Sequence, residues 1–144
     1  MNTKNFEKFS PIDFLKISEE INKYSDILNV NDSSIERTIF GRLYYASFLY
    51  AREWLSKNYG YKSKGPADHK NLPYFIKKHG PFDRIGNIRI SDSLKELKKM
   101  RHQSDYYLKI PKKESKEYDR WNFGDINRAF KLARDIFDSF ENSR

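Results

Sequence analysis

At 144 residues the chain is long enough for one domain and short for two. Only 38% of its residues are apolar while 33% are charged, so the 16% that are aromatic must carry much of any core. A net charge of +8 favours polyanionic partners, and the absence of cysteine excludes disulfides and thiolate metal sites.

No apolar run approaches the roughly 20 residues that span a bilayer, so no membrane-spanning segment is expected. The opening MNTKNFEKFS lacks the apolar core of a signal peptide, and a cytoplasmic location is expected. Residues 1–144 read as a single domain, with 1–9 as an N-terminal arm. Ser10-Pro11 is a helix start, with Ser as N-cap, Pro at the first helical position and Asp13 in the first turn. Phe14, Leu15, Ile17, Ile21 and Tyr24 continue it at helical spacing, predicting a helix over 11–24.

Ser33 and Glu36 have the spacing of a capping box and predict a second helix over 34–59, stopped by Gly60. Between Ile39 and Leu55 its apolar residues nearly encircle it. Such a helix must be covered on several sides, either as the central helix of the domain or in part by a second subunit. Arg42 falls within this aromatic surface and needs a partner there, Asp105 or a nucleic-acid phosphate.

The segment 61–67 reads as a polar Gly-Pro loop. HKNLPYFIKKHG predicts a short helix with Asn71 as N-cap, Pro73 in the first turn and Gly80 as the stop. His69 and His79 then fall at its opposite edges, and no HxH or HxxxH spacing occurs, so neither metal nor cofactor is expected. Residues 85–90 allow a short β-run that would have no second strand to pair with.

Ser91 predicts the cap of the next helix, in which Leu94, Leu97, Met100 and Ser104 recur at steps of three or four. Arg101 and Asp105 share one face, and His102 and Tyr106 the neighbouring one. The polar group is either an ion pair on a solvated helix or a site. Residues 95–116 hold eight Lys or Arg against Glu96, Asp105 and Glu114, which is +5 of the net charge. This stretch includes Lys98 and, in a basic loop over 109–121, Lys109, Lys112 and Lys113, all suited to RNA phosphates. A last helix begins near Gly124 or Asp125, with Ala129, Phe130, Ala133, Ile136, Phe137 and Phe140 along one side and Lys131–Asp135 and Arg134–Asp138 lacing the other. The fold class expected is all-α, an up-and-down bundle of four or five helices.

The segment GRLYYASFLYAREWL, then His69, then LKELKKMRHQSDYY resembles the small bacterial and archaeal HEPN proteins. Arg42, Tyr45, Ala46 and Phe48 match an R-x-x-Y-A-x-F segment; Arg101, Ser104, Asp105 and Tyr106 match R-x-x-[AS]-D-Y. The resemblance implies a helical bundle, a homodimer whose cleft contains the Arg101 helices of both chains, and RNA or nucleotide as ligand. For active members it implies a metal-independent endoribonuclease of a toxin–antitoxin or defence system, with Arg on the phosphate and His in acid–base work. The alternative is a catalytically silent module that binds RNA or nucleotide, or supports a partner such as a small nucleotidyltransferase acting as antitoxin. The ribonuclease motif is R-x(4–6)-H, and here the histidine positions hold Tyr106, Tyr107 and Leu108, with His102 the nearest histidine. The candidate catalytic residues are therefore Arg101, His102 and Tyr106; the candidate RNA-binding residues are Arg42, Lys98, Lys109, Lys112 and Lys113, supported by Asp105, Tyr45 and His69.

Overall fold

A computed structural model describes residues 10–30, 32–106 and 126–143, with the backbone alone at 32, 33, 105 and 106. Five α-helices occur among these residues: α1 (Pro11–Lys23), α2 (Asp32–Asn58), α3 (Asp68–His79), α4 (Arg84–Tyr106) and α5 (Ile126–Glu141). Two short 3₁₀ turns, Ser25–Ile27 and Gly65–Ala67, lie between them, and no strand occurs among the described residues. The protein is all-α, as expected. The arm over 1–9 and the basic loop over 109–121, with Lys109, Lys112 and Lys113, lie outside the described residues.

Helix α2 is central. Helices α1, α4 and α5 pack against it, and α3 packs on α4. Ile39, Leu43, Tyr44, Ala46, Phe48, Ala51 and Leu55 are buried on different sides of α2, so most of its all-round apolar surface is covered within one chain, while Tyr45, Leu49, Tyr50 and Trp54 are half-buried. It begins at Asp32, which makes Ser33 its second residue rather than the N-cap, so the capping-box register is not adopted. It stops where expected. Gly60 takes a left-handed φ of +69°, open to glycine at no steric cost, and the Tyr61 N–H turns back to donate to the Leu55 carbonyl at 3.1 Å.

Two helix starts differ from expectation. Helix α3 begins at Asp68, not after Asn71, and carries Pro73 in its interior. The cause is tertiary: the buried Asp68 carboxylate accepts hydrogen bonds from the Tyr61 hydroxyl (2.7 Å), the Lys64 N–H (2.8 Å) and the Ser63 hydroxyl, folding the preceding loop onto the helix. This anchorage offsets the one ladder bond that Pro73 cannot donate. Helix α4 begins at Arg84, so residues 85–90 are helical and Ser91 lies mid-helix. Its start is set by Asp83, whose carboxylate accepts the Gly86 N–H at 2.6 Å, the geometry of an N-cap. Ser91 is buried and donates to the Pro73 carbonyl at 2.8 Å, tying α4 to α3. In α1, Pro11 opens the helix as expected, but the Ser10 hydroxyl makes no capping bond.

Helix α5 buries Ala129, Phe130, Ala133, Ile136, Phe137 and Phe140, the side its spacing indicates. Its charges reach across to other helices: Arg128 takes both oxygens of Glu96, Asp135 meets Arg89, and Arg134 lies 3.7 Å from Glu19. Exposed pairs of this kind contribute about 0–1 kcal/mol each. They fix orientation more than stability. No helix among the described residues is long and apolar enough to cross a membrane.

Candidate anion-binding site

Successive turns of α2 present Tyr44, Tyr45 and Phe48, spaced so that their rings form one wall. The Arg101 guanidinium of α4 lies over Tyr45 at 4.5 Å from the ring centroid and 5.7 Å from that of Tyr44. A cation held over an aromatic face in this way gains about 0.5–2 kcal/mol, depending on how dry it is.

His69, the second residue of α3, fills the other end of this wall. Its ring stacks on Phe48 with centroids 4.2 Å apart and planes 8° from parallel. Its Nδ1 is 2.6 Å from the Tyr44 hydroxyl. Burial depresses the imidazole pKa below the ordinary histidine value, and the charges of Lys98, Arg101 and Arg52 depress it further against a small opposing effect of Asp68. Burial likewise raises the Tyr44 phenol well above its usual value, so Tyr44 stays protonated. Arg52 lies 5.4 Å over Phe48 and 3.5 Å from Asp68. Burial alone would raise the Asp68 carboxyl, but the hydrogen bonds from Ser63, Lys64 and Tyr61 and the Arg52 charge outweigh it and hold the group below its usual range.

Beside His69 a groove of about 590 Å³ runs between α3 and α4. His69, Lys70 and Pro73 line one side; Lys95, Lys98, Lys99, His102 and Gln103 line the other. Lys95, Lys98, Lys99 and His102 recur at three- and four-residue steps, so one stripe of α4 delivers them all. Among the described residues no carboxylate lines the groove. Two other hollows carry both signs of charge. The one beside Trp54, about 700 Å³, has Glu53 with Lys57, and the one between α4 and α5, about 740 Å³, has the ion-paired residues described above. Among the described residues, the α3–α4 groove is therefore the concave surface lined by basic side chains without acidic ones.

Of the residues expected to form a site, Arg101, Tyr45, His69, Lys98 and His102 come together here. Arg42 does not. It is exposed on another side of α2, 4.9 Å over the Phe14 ring of α1, so it is neither buried nor dependent on Asp105 or a phosphate for a partner. The side chains of Asp105 and Tyr106 lie outside the described residues, as do Lys109, Lys112 and Lys113. Lys70, Lys95 and Lys99 were not anticipated, although the helical spacing of Lys95, Lys99 and His102 was visible. Arg52 and Asp68 carried no local signal. Among the described residues no three of His, Asp and Glu are grouped so as to hold a metal ion.

These features define an all-helical protein with a basic groove framed by an aromatic wall. The chain is 31% identical over 135 residues to the uncharacterized protein MJ0628 of Methanocaldococcus jannaschii, the match covering 83% of this chain and 76% of that one. It belongs to the family of that archaeal protein. No family model and no solved structure matches the chain.

Proposed function

We propose that the protein is an RNA-directed module of HEPN type that grips phosphates in the α3–α4 groove. The observation that carries this reading is the groove wall itself: four lysines and two histidines with no carboxylate among the described lining residues, adjoining an arginine whose guanidinium lies 4.5 Å over the Tyr45 ring. A folded protein gains nothing from gathering like charges, which repel one another at helical spacing. A polyanion repays that repulsion by releasing its counterions when the lysines neutralise its phosphates. Arg101 serves as the directional contact, since its fork matches two phosphate oxygens, and the lysines serve as point charges.

A second reading, metal-independent RNA cleavage, is favoured by one observation: His69 and His102 both line the groove beside Arg101. An unprotonated His69 suits a general base acting on a ribose 2′-OH, and His102 suits the acid that protonates the leaving oxygen. In either reading the bundle is of the up-and-down HEPN type, acts in the cytoplasm and pairs as a homodimer. The dimer interface is assigned to α4, because α2 is already mostly covered by its own chain. A nucleotidyltransferase-type antitoxin is the partner protein proposed.

Binding of a fluorescent single-stranded RNA to the triple variant Lys95→Gln, Lys98→Gln, Lys99→Gln tests the reading. If all three lysines contact phosphates, the slope of log affinity against log salt shallows by about 2, since each contact on a single strand contributes about 0.7. An unchanged slope would remove the groove as the RNA site. Incubation of the wild type with RNA containing a single ribose linkage, in the presence of chelator, tests cleavage: fragments ending in a 2′,3′-cyclic phosphate support it, and intact RNA removes it.

A further inference from the structure

We propose that a phosphodiester entering the α3–α4 groove is bound together with a proton, and that His69 takes up that proton. The inference rests on the reading of the groove as an anion site and adds to it a coupling that charge alone does not imply.

The geometry around His69 sets this up. One ring nitrogen is engaged by the Tyr44 hydroxyl at 2.6 Å, one ring face is covered by Phe48, and the edge of Tyr45 approaches with centroids 6.2 Å apart. The charges around it are mostly positive. Arg52 comes from α2, and Lys98 and Arg101 come from α4. Lys95, Lys99 and His102 of α4 and Lys70 of its own helix share the groove. Among the described residues the negative neighbour is Asp68, which is engaged by Tyr61, Ser63, Lys64 and Arg52. An imidazolium ion in the empty groove would thus meet burial and three nearby cations, and the ring is held neutral.

A bound phosphodiester changes the sign of that environment. It places a negative charge among the lysines that repel the imidazolium and offers an acceptor for a second N–H. Protonation of His69 then becomes favourable with the anion present and unfavourable without it. By linkage the reverse also holds: a protonated His69 binds the anion more tightly, by the same factor. Affinity is independent of pH where His69 is neutral in both states. As pH falls it climbs, at a limiting slope of about tenfold per pH unit for one proton, until the free protein is protonated as well.

The test uses a 2′-O-methyl oligouridylate, which cannot react at the 2′ position and whose charge is constant between about pH 5 and about pH 8. Its affinity is measured across that range at fixed ionic strength for the wild type, His79→Gln and His69→Gln, His79 being exposed and outside the groove lining, and the His69 ring signals are followed by NMR in the wild type with and without oligonucleotide. The expected result is a rise in affinity toward acid that survives in His79→Gln and is lost in His69→Gln, with the His69 signals titrating at higher pH in the complex. Should His69→Gln not fold, the wild-type NMR titration decides alone. A His69 titration unmoved by the oligonucleotide, or a pH slope that persists in a folded His69→Gln, overturns proton coupling while leaving the anion site in place. Absence of binding at every pH overturns both.

Discussion

Replacing Asp68 by Asn tests how the site is built, because this carboxylate joins the loop over 61–64 to the helix that carries His69. The exchange preserves shape and removes charge. Oδ1 accepts from the Tyr61 hydroxyl and the Lys64 N–H, and an amide oxygen in its place keeps both bonds in weaker, uncharged form. Oδ2 accepts from Ser63 and faces Arg52 at 3.5 Å, and an amide NH₂ there turns two attractions into donor–donor contacts. The charge-assisted Ser63 bond is worth about 1.5–3 kcal/mol. The Arg52 pair is partly exposed on the arginine side and is worth under about 1 kcal/mol after screening. Rotation of the Ser63 hydroxyl recovers part of the loss, leaving a net destabilisation of about 2 kcal/mol. For a domain of this size that lowers Tm by roughly 6–8 °C. The pH dependence supplies an independent check. The Asp68 pKa is depressed below its ordinary 3.8, so its contribution is complete above that value and fades as pH falls through the folded-state pKa. The gap between wild type and Asp68→Asn should therefore be full near neutrality and shrink on acidification below about pH 4. Thermal melts followed by circular dichroism across this range measure both effects. A variant as stable as wild type at pH 7 would refute the argument that the carboxylate network sets the start of α3.

The turn from α3 to α4 is equally specific: a Cβ at Gly80 would sit 2.5 Å from the Ile76 carbonyl oxygen, which is backbone and cannot swing away, so Gly80→Ala should cost about 1–3 kcal/mol, read by urea denaturation. Arg101→Lys should keep the melting temperature within about 7 °C of wild type, given the about 0.5–2 kcal/mol at stake in the stacked cation, yet weaken RNA binding nearly as much as Arg101→Ala; wild-type RNA affinity in the lysine variant would leave Arg101 with a packing role only. Light scattering at micromolar concentration should give twice the 17.3 kDa chain mass, and a monomer would remove the proposed α4 interface.

Where one helix face or one residue's backbone preference decided the outcome, the sequence was readable. The apolar stripe of α5, the encircled α2 and the Gly60 stop are of that kind, since helical period and a left-handed φ are local properties. The starts of α3 and α4 were not. Asn71 and Ser91 looked like caps because each precedes an apolar run, whereas the working cap of α4 is Asp83, hidden within a segment that also fits a strand. Asp68 draws its partners from a loop and from α2, and no window of sequence around it contains Arg52. The site divides the same way. Arg101, Tyr45 and His69 were legible through their motif spacing, and the Lys98–His102 step through helical arithmetic. Arg42 was misplaced because a helix apolar on every side does not say which neighbour covers which face; the cover over Arg42 is Phe14 of α1.

The arrangement that results separates two roles for positive charge. Arg52 and Arg101 lie against aromatic rings on either side of His69, Arg52 also meets the buried Asp68, and packing fixes their positions. The groove lysines have no acidic residue among the described lining residues, and an ammonium on a flexible stem adapts to many backbone geometries. A fixed fork beside adaptable point charges is the combination that orients one phosphate while tolerating variation in its neighbours, as a single-stranded polyanion requires. His69 adjoins both groups, and burial together with the charges of Lys98, Arg101 and Arg52 disfavours its protonation. In the proposed coupling, occupancy of the groove and the protonation state of this histidine are two aspects of one electrostatic balance, set by where α2 and α4 place their charges relative to the first turn of α3.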